Sequence, residues 1–132
     1  MADASAQLSN YRQSPRKVGL VVGAIRGKRV VGALQVLEAM PKRAAGPIAK
    51  LLNSAVANAS VKGFHLDELV ISKATVDKGM VIKRFTPRAR GSSSPIHKRC
   101  SHVKLELSQI APVTAKAPKG AKKPAAKAKK AK

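Results

Sequence analysis

Between Lys78 and Leu105 the chain carries Lys78, Lys83, Arg84, Arg88, Arg90, Lys98, Arg99 and Lys104, and no Asp or Glu. Cations at that density, with no carboxylate to pair with, are suited to one chemistry: neutralising the phosphates of a nucleic acid. A face that is merely solvated mixes both signs. The middle of the stretch, Arg84-Phe-Thr-Pro-Arg-Ala-Arg-Gly-Ser-Ser-Ser-Pro95, is rich in turn-forming Pro, Gly and Ser. Strand-forming residues flank it. The element that must present these cations is therefore a long β-arm.

Other chemistry is poorly supported. His97, Cys100 and His102 form His-x-x-Cys-x-His, but no second ligand cluster accompanies them. Strand alternation also sets His97 on the face opposite Cys100 and His102. The neighbours of Cys100 are basic, yet no acid lies near to orient a base, so a nucleophilic role is disfavoured. Asp67-Glu68 is the one close acid pair. At a strand start adjacent residues point apart, which suits capping or solubility better than acid–base catalysis. The glycines are scattered, and no phosphate-cradling loop is present. No catalytic residue, metal or cofactor is expected.

The 132 residues carry 27 Lys+Arg against 6 Asp+Glu, a net charge of +21. A compact monomer with that charge repels itself, so a polyanion is the expected partner. Residues 113–132 hold 8 Lys and no acid, which leaves 19 cations and all 6 acids, a net +13, in residues 1–112. The folded part is itself basic. Aromatics are limited to Tyr11, Phe64 and Phe85. Recognition by stacking bases on an aromatic sheet is therefore disfavoured against contact with phosphates, sugars and RNA shape. The single Cys100 cannot form an internal disulfide, no apolar run has membrane-spanning length, and no secretory signal is visible. A cytoplasmic, membrane-free setting is expected.

The positioning elements follow from periodicity. Residues 1–7 read as a loose leader and Leu8–Arg12 as a short extended piece. Ser14-Pro15 is a helix start, with Ser able to cap and Pro at the first helical position. Val18, Val21, Val22 and Ile25 then recur on one helical face, and Gly27 ends it. A second helix is predicted over Val30–Ala39, with Val30, Ala33, Leu34 and Leu37 inward and Pro41 as its stop. A third is predicted from about Lys42 to Val61. Its stripe is Ala44, Ile48, Leu51, Leu52, Ala55 and Ala59; Pro47 should kink it or delay its start, and Gly63 should cap it. Strand character then runs from Leu69 to Val76, with a bulge or bend at Asp77–Gly79. It resumes from Met80 to Phe85, turns over Pro87–Pro95 and returns from Ile96 to Ile110. Val103, Leu105 and Leu107 alternate with polar residues, so the hairpin base should pack on the helices and the distal part should not.

The expected fold class is α+β: three helices packed on a small antiparallel sheet, with a long protruding β-hairpin and a disordered basic C-terminal tail. Residues 1–112 form the domain, with the hairpin over about 77–103 and its tip over about 84–96. About ten residues beyond the bulge would reach about 33 Å. An isolated two-stranded ribbon is marginal in water and would be ordered by a partner. Residues 113–132 contain nothing large enough for a core and are expected to be disordered when free.

Several segments resemble the large ribosomal subunit protein 22 family of bacterial type. They are Arg12-Gln-Ser-Pro-Arg-Lys-Val18 with Ile25-Arg-Gly-Lys28, Lys50-Leu-Leu-Asn-Ser-Ala-Val-Ala-Asn-Ala59, Lys83-Arg84 with Pro87-Arg-Ala-Arg-Gly91, and Lys98-Arg-Cys-Ser-His-Val103. They occur in order from about Leu8 to Ile110. The resemblance implies a non-enzymatic structural constituent of the large subunit. Its globular part would sit on the outer face near the polypeptide exit. Its hairpin would run inward through ribosomal RNA, touch several RNA domains, assist assembly and line the nascent-peptide tunnel at a narrow point. The implied partners are large-subunit ribosomal RNA, neighbouring large-subunit proteins and the nascent polypeptide, with no homo-oligomer.

Carried over by position, Lys83, Arg84, Arg88, Arg90, Lys98, Arg99 and His102 become RNA contacts of the arm. Arg12, Arg16, Lys17, Arg26, Lys28 and Asn58 become contacts of the globular part. Arg84, Phe85, Thr86, Pro87, Arg88, Ala89, Arg90, Gly91, Ser92, Ser93 and Ser94 become the tunnel tip. The chain departs from the pattern at Gly91-Ser92-Ser93, where relatives usually have Gly-Arg-Ala, and at Gly19, where a cation is common. A second reading comes from the tail, whose Ala-Lys-Lys-Pro-Ala-Ala-Lys-Ala-Lys-Lys resembles a linker histone. The body does not help that reading of a chromatin- or nucleoid-compacting protein, because it offers no helix-turn-helix and puts its basic density on a hairpin.

Overall fold

The alternating Ala4, Ala6 and Leu8 form one inward row of a strand that begins earlier than the sequence suggests. In the computed structural model, which describes residues 4–109, β1 spans Ala4–Tyr11 and Ala4 is buried. The expected loose leader is thus corrected for Ala4–Gln7. Two alanines carry too little apolar surface to announce a strand, yet they fit where α3 crosses closely.

α1 (Pro15–Ile25) buries Val18, Val21, Val22 and Ile25, the predicted face. Pro15 occupies the first turn, and the carbonyl of Ser14 accepts from the N–H groups of Lys17 and Val18. The Ser14 side chain makes no capping bond, a departure from expectation. Gly27 takes a left-handed φ of 73°, and its N–H donates to the carbonyl of Ile71 rather than back into the helix. α2 (Val30–Ala39) buries Val30, Ala33 and Leu37.

α3 (Ala45–Val61) begins three residues later than expected. Pro47 then falls in the first turn, where its missing N–H had no intrahelical acceptor to lose. All six predicted stripe residues of α3 are buried. Its end is closed at Gly63, φ 85°, with Gly63 N–H donating to Ser60 O and Phe64 N–H to Ala59 O. Asp67 and Glu68 lie in a short 3₁₀ turn, Leu66–Glu68, not at the strand start. Glu68 accepts a 2.6 Å bond from Gln109.

β2 (Leu69–Pro87) and β3 (Ser93–Gln109) form an antiparallel hairpin, and β1 pairs antiparallel with the far edge of β3, giving the order β1-β3-β2. Ile71 faces Leu107, Ala74 faces Leu105 and Val76 faces Val103, while Ala4, Ala6 and Leu8 face Leu107, Leu105 and Val103 from the other side. This row meets the helices. Leu69, Ile71, Val103, Leu105 and Leu107 are wholly buried, each contributing about 1.5–3 kcal/mol of apolar transfer free energy. The α+β class and its layers are as expected. Residues 113–132, the expected tail, and Ile110 lie outside the described residues.

Three irregularities shape the sheet. Ser72 is extra opposite Glu106, whose carbonyl accepts from Ser72 Oγ at 3.0 Å. β1 shifts register between Leu8 and Tyr11, where Asn10 has φ 55°. On β2 the register shifts between Lys78 and Val81, so Gly79 and Met80 stand against Cys100. This last bulge is the one expected near Gly79. A Cβ at residue 79 would lie 3.1 Å from the Cys100 carbonyl carbon and 3.1 Å from His102 Nε2. A Cβ there would require its neighbours to give by a few tenths of an ångström.

Candidate nucleic-acid interface

Beyond that bulge the hairpin leaves the body. From Val81 to Arg99 no residue is buried. Val81–Pro87 pair with Ser93–Arg99 in continuous register, and ten residues from Gly79 to Ala89 reach about 33 Å. The turn is tighter than expected. Pro87 pairs with Ser93, so Ser93, Ser94 and Pro95 are strand and the turn proper is Arg88–Ser92. Short side chains at Ser93 and Ser94 keep the ladder open to pairing, and Pro95 sits on an exposed edge where it can be tolerated.

The tip is held by its own polar groups. Arg88 N–H donates to Ser92 O at 2.8 Å, Ser92 Oγ donates to Ala89 O at 2.9 Å, and Arg88 Nε donates to Ser94 Oγ at 3.1 Å. Arg90 and Gly91 are both left-handed, with φ 56° and 72°. Gly91 takes this at no steric cost, while Arg90 pays about 1–2 kcal/mol for it.

Cross-strand partners share a face, so the register assigns each cation a side. Val81 stands opposite Arg99, Lys83 opposite His97 and Phe85 opposite Pro95 on one face. Ile82 stands opposite Lys98 and Arg84 opposite Ile96 on the other. Both faces therefore carry cations beside exposed apolar groups, Phe85 being 71% exposed. The residues 81–99 hold Lys83, Arg84, Arg88, Arg90, Lys98 and Arg99 and no acid. A ribbon that is basic on both sides is suited to being surrounded by phosphates rather than lying against one surface of them.

The arm's root continues into the body. Arg12, Gln13, Ser14, Lys17, Arg43, Lys98 and Arg99 line one open cleft, and Arg16, Lys78 and Arg99 line the recess beside it. The fold thus brings together Arg12, Arg16 and Lys17 from the start of α1 with Lys98 and Arg99 of β3. Arg43 joins them from the loop before α3, where Tyr11 Oη donates a long 3.5 Å bond to its carbonyl. Neither Arg43 nor Lys78 was among the sequence-based contacts. The signal for Arg43 was Pro41-Lys-Arg43, a basic loop between two helices.

Other candidates stand apart. Arg26 donates from its guanidinium to Ala74 O at 2.6 Å and secures β2 to α1. Lys28 is exposed in the turn after α1, its carbonyl accepting from Ile71 N–H. Asn58 Nδ2 donates to Ser5 O at 3.0 Å and ties α3 to β1. His102 is half-buried, and its Nδ1 accepts from Asn10 N–H at 3.1 Å. Cys100 is buried while His97 is exposed on the arm, so the His-x-x-Cys-x-His spacing does not converge on one point. Glu106, the first acid after the basic stretch, is held below its ordinary value by the 2.8 Å bond from Lys104 Nζ, and the charge of Lys73 adds to this.

Among the described residues no helix is long and apolar enough to cross a membrane. The ribosomal protein L22p/L17e family matches residues 6–108. The large ribosomal subunit protein uL22 of Citrifermentans bemidjiense is 48% identical over 108 residues, covering 81% of this chain and 97% of that protein. The uL22 of Streptococcus pyogenes serotype M6 is 44% identical over 110 residues, covering 83% of this chain and 96% of that protein. With a domain, hairpin and basic arm in the order the segments predicted, the chain belongs to the bacterial-type L22 family, structural rather than catalytic constituents of the large subunit of the cytoplasmic ribosome.

Proposed function

We propose that this protein binds large-subunit ribosomal RNA through its arm and the cleft at the arm's root, bringing strands from several RNA domains together during assembly. The observation that carries this is the arm itself: residues 81–99 carry six cations on two faces, no acid and no buried residue. Such a ribbon contributes nothing to the core and gains its order from a polyanion that encloses it. Charge neutralisation lets RNA strands approach that would otherwise repel.

On this reading the tip, residues 84–96 with the turn at Arg88–Ser92, forms part of the wall of the nascent-peptide tunnel. The exposed Phe85 and the small Ala89, Gly91, Ser92 and Ser93 face the passing chain or the RNA beside it. Residues 1–112 act as one domain in a single copy per subunit, packed against neighbouring ribosomal proteins. Residues 113–132 add 8 Lys of sequence-independent attraction.

A photo-crosslinker at residue 90 or 92, in large subunits carrying a stalled nascent chain, tests the placement. Crosslinks to both large-subunit RNA and the nascent chain are expected. Crosslinks confined to solvent-side proteins would refute the tunnel assignment.

A further inference from the structure

The cleft between body and arm has a composition that the fold alone does not explain. Five cations line it, Arg12 and Lys17 beside the start of α1, Arg43 from the loop before α3, and Lys98 and Arg99 from β3, and no acid does. Three separate elements thus direct like charge at one concavity, which is unfavourable in the free protein. In the same cleft Gln13 has a buried Oε1 with no hydrogen-bond partner among the described residues. A buried carbonyl oxygen that none of these donors reaches is an unmet acceptor.

The α1 terminus adds to this field. Its first turn contains no acid, and Ser14 leaves the end uncapped by its side chain. The charge and the position between body and arm call for an anion, while the unpaired Gln13 oxygen marks where one of the cations could donate.

We infer that this cleft is a phosphate-binding clamp: it takes a backbone phosphate of the RNA proposed above, and that phosphate locks the arm's direction to the body. This rests on the RNA-binding reading and deepens it. The phosphate draws Arg43 and Arg12 from the body and Lys98 from the arm onto one anion, with Arg99 on the ribbon's other face adding charge nearby. Gln13 acts as a positioning residue, its Oε1 receiving a guanidinium N–H on the side away from the phosphate. The arm is then aimed by its root before its tip is engaged. Gln13→Glu would supply a fixed anion in place of the phosphate.

The test uses thermal unfolding of the full-length chain, with pyrophosphate as probe and sodium chloride at matched ionic strength as reference. Pyrophosphate is expected to raise the wild-type Tm by about 5 °C or more beyond chloride, as a ligand at several times its Kd does. The double variant Arg43→Ala/Lys98→Ala should lose most of that rise, while Arg29→Ala, an exposed Arg→Ala change outside the cleft, should keep it. Gln13→Glu should have a higher Tm in chloride and a smaller rise with pyrophosphate. Amide exchange at Val81 and Arg99 should slow with pyrophosphate in the wild type and not in the double variant. An equal rise in all variants, or none in the wild type, would overturn the clamp. Filter binding of wild type to large-subunit ribosomal RNA separates the two ideas: retained binding without a pyrophosphate response overturns the clamp alone, and lost binding overturns the underlying function.

Discussion

His102 and Gly79 meet at the root of the arm: a Cβ on Gly79 would stand 3.1 Å from His102 Nε2, while His102 Nδ1 accepts from the backbone of Asn10. One imidazole thereby spans β1, β3 and the β2 bulge, at the point where the sheet stops being covered by helices. The register shift at the bulge marks where burial ends, since no residue from Val81 to Arg99 is buried.

Gly79→Ala is expected to force the strands apart or displace His102. Overpacking of this kind costs about 1–3 kcal/mol. Chemical denaturation should show a lower midpoint with an unchanged slope, and exchange protection should fall first around Lys78–Val81. An unchanged midpoint would mean that the contact is not structural.

Ser101 is wholly buried and its Oγ has no hydrogen-bond partner among the described residues. Ser101→Ala removes an unpaired polar group and leaves almost no cavity. Stability should be unchanged or rise by about 1 kcal/mol. A loss of more than that would reveal a partner for the hydroxyl.

Arg26 and Arg88 are both cations of the basic set, but they should separate by role. Arg26→Ala breaks the 2.6 Å bond to Ala74 O and is expected to cost about 1–2 kcal/mol of stability. Arg88→Ala should leave stability unchanged and lower RNA affinity, reducing the salt slope by about one counterion. Equal effects on both readouts in both variants would contradict the assignment.

Arg90→Gly removes a charge and also the cost of a left-handed non-glycine residue, φ 56°. Arg90→Ala removes the charge alone. The two should lose RNA affinity alike, while the glycine variant shows the better ordered turn in the free protein. Nuclear Overhauser contacts between Pro87 and Ser93 would read this.

The helical layer was legible because its signals are local. Val18, Val21, Val22 and Ile25 lie on one face by spacing alone, and the six stripe residues of α3 are all buried. β1 was half missed because its inward row begins with two alanines, whose burial depends on how closely α3 crosses. The turn was drawn too wide because Ser and Pro signal a loop, although Ser93, Ser94 and Pro95 pair across the ribbon. In the candidate interface the arm's cations were legible from the missing acids. Arg43 was not, since its place depends on a loop folding back beside β1. The structural duties of Arg26 and Asn58 were equally hidden, because a backbone carbonyl as partner leaves no trace in side-chain spacing.

On this reading the arm binds RNA and the body folds without it. Replacing residues 82–98 by a two-residue turn between Val81 and Arg99 removes no buried side chain. The trimmed protein should unfold within a few degrees of the full-length chain. Its affinity for large-subunit ribosomal RNA at physiological salt should fall at least tenfold, with a flatter dependence of log K on log salt, as expected when several phosphate contacts are lost. Full affinity with an unchanged salt slope would place RNA binding elsewhere and contradict the account.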